Sequence, residues 1–317
     1  MRSMNIVVLG GSGFVGSHLC ARLVTDGHNV KVITRRPERA VALRVLPGLS
    51  LIRGDVHHLP TLISATEGAD VLINLVGILN EKGRSGKGFE HAHFELAHKT
   101  LIACQTSGVG RLLHMSGLPA AQDGPSHYLR SKGRAEAEIR HSPNTVAWTI
   151  FRPSVIFGPG DSFLNRFAGL LRLLPVMPLA RINAKLSPVY VEDVVSAFIK
   201  ALHDPSTAYQ SYDLGGPNVM TLGDTVRYVQ HQLKLHRIIF GLPDSLGFLQ
   251  AALMEFLPGK PLSVDNYRSL AAPSVCASDG LAALGIKATA LDEVVPLYFG
   301  KSRLSASLDQ LRTQRRA

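Results

Sequence analysis

The chain has 317 residues, of which 45% are apolar and 18% charged, and its formal net charge is +10 at pH 7. This length and composition suit a globular protein with a sizeable core, in one large domain or two modest ones. The three cysteines are far apart, and neither a Cys-x-x-Cys pair nor a histidine cluster stands at metal-ligand spacing. We therefore expect no disulfide framework and no metal site, and a reducing cytoplasm as the compartment.

The positive charge indicates the kind of partner. No run reaches the ~18 apolar residues that a membrane-spanning helix needs, and residues 1–4 are too few for a signal peptide. A basic surface attracts anionic cofactors, phospholipid headgroups or acidic proteins, so we also consider peripheral contact with a membrane-associated complex or with the inner face of an anionic membrane. Nucleic acid is not expected, because no pattern of interleaved arginines and aromatic residues accompanies the charge.

The first predicted elements are a strand, a glycine-rich turn and a helix. Residues 5–9 are an apolar, β-branched run typical of a buried parallel strand, and residues 17–26 are amphipathic. Gly10 permits the tight turn, Gly13 lets a pyrophosphate approach the backbone, and Gly16 lets helix and strand pack closely. The helix N-terminus supplies N–H groups and a positive dipole end for phosphates. We favour a dinucleotide site over an ordinary turn, and its expected contacts are Gly10, Ser12, Gly13, Phe14, Val15 and Gly16.

The second predicted strand, residues 28–34, ends in two arginines. In a dinucleotide fold this position faces the adenosine ribose, where an acid would accept a hydrogen bond from the 2′-hydroxyl. Arg35 and Arg36 instead offer guanidinium groups that match a phosphate. The sequence therefore favours NADP(H) over NAD(H), with Arg35 favoured over Arg36 for the 2′-phosphate; the alternative is that one of the two arginines is a solvated turn residue.

The third and fourth predicted strands, residues 50–53 and 71–75, end in further candidate contacts. Asp55 is placed to accept a hydrogen bond from the adenine amino group, and the neighbouring backbone N–H of Val56 would complete the contact with adenine, although an Asp after a strand is more often a helix cap. The segment after the fourth strand would run beside the ribose and nicotinamide. Its expected contacts are Asn74, Val76 and Gly77.

A glycine-rich, charged stretch over residues 81–88 predicts a mobile surface loop that covers the site. Residues 89–106 follow as a long helix with one apolar face. We expect the histidines of this helix on its surface or in packing, rather than as metal ligands. They are His91, His93 and His98.

A fifth strand, residues 111–115, is followed by Tyr128-x-x-x-Lys132 in a segment with a helical pattern. Four-residue spacing stacks the two side chains on one helical face. An ammonium stabilises a neighbouring phenolate, so we expect Lys132 to lower the pKa of Tyr128 toward neutrality and to hold the nicotinamide ribose. The tyrosine would then exchange a proton with a substrate oxygen. The alternative is a chance pair on a helix surface.

The fold class predicted from these elements is α/β: a Rossmann-type doubly wound parallel sheet with a smaller, mainly helical C-terminal lobe. A sixth strand closes the NADP(H)-binding core over residues 1–157. The chain then enters a second-lobe insertion over 158–187 and returns to the core over 188–216. Residues 217–317 form the helical lobe and a basic tail. Within that lobe, residues 238–258 read as an apolar helix that closes the substrate lobe, or else as a lipid- or partner-facing surface.

The motifs resemble those of one superfamily. They are Gly10-x-x-Gly13-x-x-Gly16, Asp55, Asn74 and Tyr128-x-x-x-Lys132. This set resembles extended or atypical short-chain dehydrogenases/reductases of the epimerase/dehydratase type. Longer segments resemble more narrowly the nucleotide-binding accessory subunit of respiratory complex I, the alpha subcomplex subunit 9 family, through most of the first 220 residues. These segments are Asn74-Leu-Val-Gly77, Leu113-His-Met-Ser-Gly117, Tyr128-Leu-Arg-Ser-Lys132, Arg152-Pro-Ser-Val-Ile-Phe-Gly158, Asp161-Ser-Phe-Leu-Asn165 and Pro188-Val-Tyr-Val-Glu-Asp193.

The resemblance implies further contacts and a role. In that family a tightly held NADPH is thought to stabilise the subunit rather than to turn over, while similar folds act in quinone and lipid metabolism. By the same resemblance, Pro153 fixes the backbone beside the nicotinamide, and Ser154 and Val155 meet its carboxamide. A plain proline turn is the alternative for this stretch.

One position departs from the superfamily pattern. Active members carry a Ser or Thr after the fifth strand whose hydroxyl polarises the reacting oxygen, and this position falls at Gly117, one past Ser116. Losing one such donor costs ~2.7 to 4 kcal/mol of transition-state stabilisation. Ser116 or Ser131 would have to replace it.

Two hypotheses follow. In the first, the protein holds NADPH in a structural or assembly role. In the second, it is an oxidoreductase or epimerase acting on an apolar, quinone- or lipid-like substrate or on a nucleotide sugar. Its catalytic residues would be Tyr128, Lys132 and Ser116.

Overall fold

The structure is a computed structural model that describes residues 3–142, 145–257 and 260–299. The predicted basic tail from Lys301 onward lies outside the described residues. The strands are β1 (Asn5–Leu9), β2 (Asn29–Thr34), β3 (Leu49–Arg53), β4 (Val71–Asn74), β5 (Arg111–Met115), β6 (Ala147–Pro153), β7 (Ile156–Phe157), β8 (Val176–Leu179), β9 (Lys185–Leu186), β10 (Val189–Tyr190), β11 (Gln210–Leu214), β12 (Met220–Thr221) and β13 (Ile238–Gly241).

Helices alternate with the strands from β1 to β6. The helices are α1 (Phe14–Thr25), α2 (Val41–Arg44), α3 (Leu59–Thr66), α4 (Lys87–Glu90), α5 (Leu96–Ser107), α6 (His127–Arg140), α7 (Phe163–Leu173), α8 (Val191–His203), α9 (Leu222–Gln232), α10 (Asp244–Met254), α11 (Val264–Ser269), α12 (Gly280–Ala283) and α13 (Leu291–Phe299). Between α4 and α5 the chain continues as a π-helix over His91–Glu95. Short 3₁₀ turns occupy Pro37–Arg39 and Pro205–Thr207.

The predicted Rossmann-type sheet is confirmed. Seven strands pair in the order β3-β2-β1-β4-β5-β6-β11, and every pair is parallel. The strand order reverses between β1 and β4, so the chain leaves these neighbours in opposite directions and opens a crevice at their carboxyl ends. This crevice is where a doubly wound sheet binds its ligand.

Both faces of the sheet are buried because its strands are apolar on both sides. In β1, Ile6 and Val8 contribute to a cluster with α1 and α8, whereas Val7 and Leu9 contribute to a cluster with α3 and α5. All four side chains are fully buried. This explains why the strand reads as an uninterrupted apolar run rather than as an alternating one.

A third apolar cluster lies outside the sheet. It joins α7 with α9 and α13, through buried residues that include Leu164, Val226 and Val295. Three small sheets, β7 with β10, β8 with β13, and β9 with β12, frame it. The helical lobe is therefore built from two separate stretches of chain.

The segment around α12 packs on the sheet instead of the lobe. Leu281 and Leu284 are buried in the same cluster as α1 and α8. Nearby, the carboxylate of Asp193 accepts hydrogen bonds from the Thr289 N–H (2.7 Å) and hydroxyl (2.9 Å). The predicted domain division assigns all residues after 216 to the helical lobe and basic tail, so it does not anticipate that α12 packs on the sheet. The predicted domain boundaries stay a proposal.

The prediction of a helix over residues 238–258 is wrong for its first residues. Residues 238–241 form β13, which pairs in parallel with β8, and α10 begins only at Asp244. Many apolar side chains of this region are exposed, and we call them the apolar surface. Its members are Ile238, Phe240, Leu246, Phe248, Leu249, Leu253, Phe256 and Leu257. Across the described ranges, no helix combines the length and the apolar character that crossing a membrane requires.

Candidate functional site

The glycine turn between β1 and α1 has the geometry expected for a dinucleotide cradle. Gly10 has a φ of +78°, and its carbonyl accepts a hydrogen bond from the Gly13 N–H at 2.9 Å. A Cβ atom on Gly16 would overlap the carbonyl oxygen of Gly10, and one on Gly10 would lie 3.0 Å from the carbonyl carbon of Leu75. Gly10 is therefore required for its positive φ, and Gly16 is required because the turn leaves no room for a Cβ.

The helix begins three residues earlier than predicted, because Gly16 lies inside its first turn. Gly13 is the N-cap of α1 and no side chain caps this end. Ser12 and Gly13 are exposed and Phe14 is half-buried, while Val15 is buried. A Cβ on Gly13 would meet only the Gly10 carbonyl oxygen, at 3.2 Å. The free N–H groups and open approach fit the pyrophosphate of a dinucleotide.

The two arginines after β2 are exposed beside this turn. The Arg36 N–H donates to the Thr34 hydroxyl at 3.3 Å, which bends the chain away from the strand. Within the described ranges, no carboxylate forms an ion pair with Arg35 or Arg36, whereas Arg53 on the next strand pairs with Glu38 at 3.1 Å. Both guanidinium groups are therefore free to bind an anion.

The predicted contacts after β3 and β4 lie at the same edge of the sheet. The Asp55 carboxylate accepts from the His57 N–H at 3.0 Å, so it closes a turn ahead of α3, and its side chain stays exposed. Val56 is half-buried against the apolar cluster of this face. Asn74 is buried, and its Oδ1 accepts from the Val76 N–H at 3.1 Å. This bond fixes the turn along which the ribose and nicotinamide are predicted to lie.

Tyr128 and Lys132 share one face of α6, as their spacing predicts. The Lys132 ammonium donates to the carbonyl of Met115 at the end of β5 (3.0 Å). A Cβ built on Gly77 would lie 3.3 Å from this ammonium nitrogen. Lys132 therefore joins β5 to the turn after β4. Burial lowers the pKa of Lys132 to about 8, and the carboxylate of Glu136 opposes that shift.

The expected lowering of the Tyr128 pKa is wrong for this structure. Burial raises the pKa of Tyr128 to about 12, because the phenolate would lose its hydration. The Lys132 ammonium does not offset that loss. The phenol is therefore protonated at neutral pH.

Gly117 lies beside the Tyr128 hydroxyl, where a catalytic Ser or Thr would be needed. A Cβ on Gly117 would lie 3.1 Å from the tyrosine oxygen. The neighbouring Ser116 is buried, and its hydroxyl has no hydrogen-bond partner among the described residues. Ser131 is already engaged, because its hydroxyl donates to the Tyr128 carbonyl at 2.9 Å. Of the two predicted substitutes, Ser116 has the free hydroxyl.

Backbone and side-chain hydrogen bonds hold Pro153, Ser154 and Val155, the contacts predicted at the end of β6. The carbonyl of Pro153 accepts from the Leu118 N–H at 2.9 Å, and that of Val155 accepts from the Val189 N–H at 2.9 Å. The Ser154 hydroxyl donates to the Ser274 carbonyl at 2.7 Å, so it is engaged with the C-terminal segment. The assignment of this stretch to the carboxamide stays a prediction.

Two features near Tyr128 are not predicted from the sequence. His93, in the π-helical turn, packs edge-on against the Tyr128 ring with centroids 5.5 Å apart. The Asp265 carboxylate, 137 residues further along the chain, accepts from the Tyr128 N–H at 3.1 Å and from the His127 N–H at 2.7 Å. It supplies negative charge at the positive end of α6. A π-helical turn has no characteristic periodicity in the sequence. A contact between residues 137 positions apart leaves no local sequence pattern.

The loop over residues 81–88 lies on the surface, with residues 82–85 exposed, and hydrogen bonds anchor both of its ends, while its mobility stays a prediction. The buried Glu81 carboxylate accepts from the backbone N–H groups of Gly86 (2.6 Å) and Gly88 (2.8 Å). The Lys260 ammonium donates to the Glu81 carbonyl at 2.9 Å. These contacts tie the loop to the C-terminal segment next to Tyr128.

The profile of a protein family described as NAD(P)H-binding matches residues 10–161. A solved structure of MoeE5 in complex with UDP-glucuronic acid and NAD superposes with a TM-score of 0.74 at 20% identity, covering 95% of this chain and 99% of that chain. That likeness supports the fold, and the family profile together with the built glycine cradle shows that the chain binds a nicotinamide dinucleotide.

Three relatives extend the comparison. "NADH dehydrogenase (ubiquinone) 1 alpha subcomplex subunit 9, mitochondrial" of Arabidopsis thaliana is 29% identical over 80% of this chain, which spans 64% of that protein. A "Ceramide reductase" of Caulobacter vibrioides is 28% identical over 78% of this chain and 76% of its own length. The mouse subunit 9 is 30% identical over 90% of this chain and 77% of its own length. The chain therefore belongs to the family of the complex I alpha subcomplex subunit 9.

Proposed function

We propose that the protein holds NADP(H) across the carboxyl edge of its sheet in a structural or assembly role, without efficient hydride transfer. The observation that carries this proposal is Gly117 beside the Tyr128 hydroxyl. A reduction needs a hydroxyl there to stabilise the developing charge on the substrate oxygen, and glycine supplies none. The raised pKa of Tyr128 also removes the phenolate that an oxidation would use as a base.

The preference for the phosphorylated cofactor rests on the end of β2. The exposed Arg35 and Arg36 have no carboxylate partner within the described ranges, and the three residues directly after β2 include no acid to bind a free 2′-hydroxyl. A 2′-phosphate would complete two charge-assisted contacts at this corner of the sheet. An NAD(H) molecule would leave both guanidinium groups without an anion.

Replacing Arg35 by Asp is expected to weaken NADPH binding by ~1.5 to 3 kcal/mol, the range of a hydrogen bond to a charged group. NADH binding should change much less, because NADH lacks the 2′-phosphate. Calorimetry with both nucleotides measures the two losses. Arg172→Asp, which makes the same charge change at an exposed position of α7, is the control. Equal losses for the two nucleotides would contradict the 2′-phosphate assignment.

A second candidate function is reduction of an apolar, lipid-like substrate. Tyr128 and Lys132 are in place on one helical face, and the free hydroxyl of Ser116 lies one residue from the expected donor position. A relative named for ceramide reduction matches 78% of the chain, which supports this class of substrate. The two functions differ in one measurable property, the substrate-dependent oxidation of bound NADPH.

For location and partner, we propose that the apolar surface docks on an anionic membrane. Eight apolar side chains of residues 238–257 are exposed, with Phe256 81% exposed. The Arg84 guanidinium lies over the Phe256 ring at 5.7 Å and pairs with the Glu255 carboxylate at 2.6 Å, so a salt bridge borders the apolar surface. The net charge of +10 favours a surface of acidic headgroups over a neutral one.

Liposome sedimentation checks the membrane proposal. Binding to vesicles rich in acidic phospholipid is expected to fall steeply with salt, because exposed charges are screened. Leu253→Glu on the apolar surface should weaken it, whereas Val45→Glu, an equal charge change at an exposed valine 75% accessible in the core domain, should not. Equal loss in both variants, or no binding at low salt, would refute docking through this surface.

A further inference from the structure

The side chain of His93 connects two parts of the dinucleotide site. Its Nε2 lies 3.1 Å from the backbone nitrogen of Ile78, in the turn after β4. Its Nδ1 lies 2.8 Å from the Ser131 hydroxyl on α6. That hydroxyl in turn donates to the Tyr128 carbonyl at 2.9 Å. One imidazole thus ties the predicted nicotinamide-binding turn to the helix that carries Tyr128 and Lys132.

The donors around the ring determine its protonation state. The Ile78 N–H can only donate, so Nε2 must be the unprotonated, accepting nitrogen. Ser131 uses its own proton on the Tyr128 carbonyl, so its oxygen accepts a hydrogen bond from Nδ1–H. The only form that satisfies all three hydrogen bonds is the neutral Nδ1–H tautomer. In a protonated ring, Nε2–H would point at the Ile78 N–H, and two donors would face each other.

The surroundings of His93 also disfavour a positive charge. The ring is 1% exposed. The titratable groups that face it are Tyr128 and Lys132 on α6 and His114 on β5. Burial, then the Lys132 charge, lowers the pKa of His93 well below its ordinary value. Because burial and the Lys132 charge both oppose protonation, the ring gains a proton only at a pH well below the ordinary pKa of histidine.

The turn that His93 holds leaves little room for rearrangement. A Cβ on Gly77 would lie 3.3 Å from the Lys132 nitrogen and 3.7 Å from His93 Nε2. When Nε2 gains a proton, the Gly77–Ile78 backbone has to move away from it, and this backbone also rests on Lys132. The side of the site predicted for the nicotinamide ribose would open in the same movement.

We propose that His93 is a positioning residue of the dinucleotide site, which as a neutral imidazole keeps the turn after β4 and helix α6 in register, and whose protonation weakens cofactor binding. This inference rests on the proposed dinucleotide function. It adds a pH dependence that originates in this chain and not in the nucleotide.

The first test needs no nucleotide. Nitrogen-15 NMR of the imidazole is expected to show a neutral Nδ1–H tautomer for His93 at neutral pH, with a titration well below the ordinary range of a histidine. The Ile78 amide should lose its protection from hydrogen exchange as His93 titrates. An Nε2–H tautomer, a charged ring at neutral pH, or an Ile78 amide that is indifferent to the titration would overturn the proposal.

The second test measures NADH affinity by calorimetry from about pH 8 down to the pH at which the NMR titration shows His93 protonated. NADH is used because the 2′-phosphate of NADPH has its own pKa near about 6. The parent should lose at least ~10-fold in affinity as His93 protonates and leaves the Ile78 N–H unsatisfied. His93→Gln, whose amide oxygen can accept from Ile78 but does not titrate, should bind nearly as tightly as the parent at high pH and remove the acid loss.

Two variants complete this series. His93→Leu removes the acceptor and should bind at least ~10-fold more weakly at every pH. His98→Gln, on the exposed side of the same helix, should keep the parent's pH profile. An unchanged acid loss in His93→Gln, or parent-like affinity in His93→Leu, would overturn the positioning role. Absence of nucleotide binding in the parent at every pH, with the tautomer as expected, would instead refute the proposed function.

Discussion

Replacing Gly16 by alanine is expected to abolish tight dinucleotide binding. A Cβ at this position would overlap the Gly10 carbonyl oxygen and lie 2.6 Å from the Gly11 Cα. Both are backbone atoms of the cradle, so a flexible side chain cannot make room. Helix α1 has to move off the turn, which costs about 1 to 3 kcal/mol of unfolding free energy by overpacking. The N–H groups at its first turn then no longer converge on the pyrophosphate, and we expect at least ~100-fold weaker NADPH binding.

A matched control separates this effect from helix propensity. Gly169 lies in helix α7, and a Cβ built on it meets no atom within 4 Å. Gly169→Ala should therefore raise the free energy of unfolding by up to ~1 kcal/mol and leave nucleotide binding unchanged. Thermal denaturation with calorimetry of NADPH binding measures both variants. A Gly16→Ala protein that binds NADPH like the parent would show that the cradle does not hold the phosphates.

The parts of the fold that can be predicted from the sequence are those that depend on short-range residue patterns. The strand over Asn5–Leu9 is apolar on both faces, the glycines after it have one stereochemical use, and Tyr128 and Lys132 are one helical turn apart. Each signal occupies fewer than about twenty residues and needs no knowledge of distant contacts. The Rossmann-type sheet follows from several such units in succession.

The contacts that sequence reasoning misses are long-range. The carboxylate of Asp265, in the short helix α11, accepts from the first N–H groups of α6. The carboxylate of Glu81 accepts from two glycine N–H groups in a loop that the sequence predicts to be mobile. A carboxylate satisfied by backbone N–H groups resembles any solvated carboxylate in the sequence. His93 is similar, because the sequence does not distinguish it from His91, which lies in the same π-helical turn but is exposed.

The pKa of Tyr128 illustrates how packing overrides a motif. Spacing alone predicts an ammonium beside a phenol, and hence an easily formed phenolate. The structure instead buries both groups, and burial favours the neutral form of each. A bound dinucleotide would add a ribose to this cavity and change its solvation, so the motif by itself does not establish catalysis.

Replacing Tyr128 by phenylalanine is expected to leave the protein folded and bound to NADPH. Phenylalanine keeps the ring that packs edge-on against Phe89 and His93, with centroids 6.0 and 5.5 Å away. It removes only the hydroxyl, so NADPH should bind less than ~10-fold more weakly, the cost of one lost hydrogen bond. Stopped-flow measurement of bound NADPH should show no substrate-dependent oxidation in the parent with quinone or lipid substrates, and therefore no further loss in the variant.

Gly117→Ser in the parent provides the complementary test, because it places a hydroxyl beside the Tyr128 oxygen. The added Cβ would lie 3.1 Å from that oxygen, so the tyrosine has to shift by a few tenths of an ångström. If the missing donor limits turnover, oxidation of NADPH with an apolar carbonyl substrate should rise by up to ~100- to 1,000-fold. The gain should vanish in the Gly117→Ser, Tyr128→Phe double variant, since proton transfer from the tyrosine is worth ~10²- to 10⁴-fold. Rapid, substrate-dependent oxidation in the parent that disappears in Tyr128→Phe would refute the non-catalytic role and establish the reductase instead.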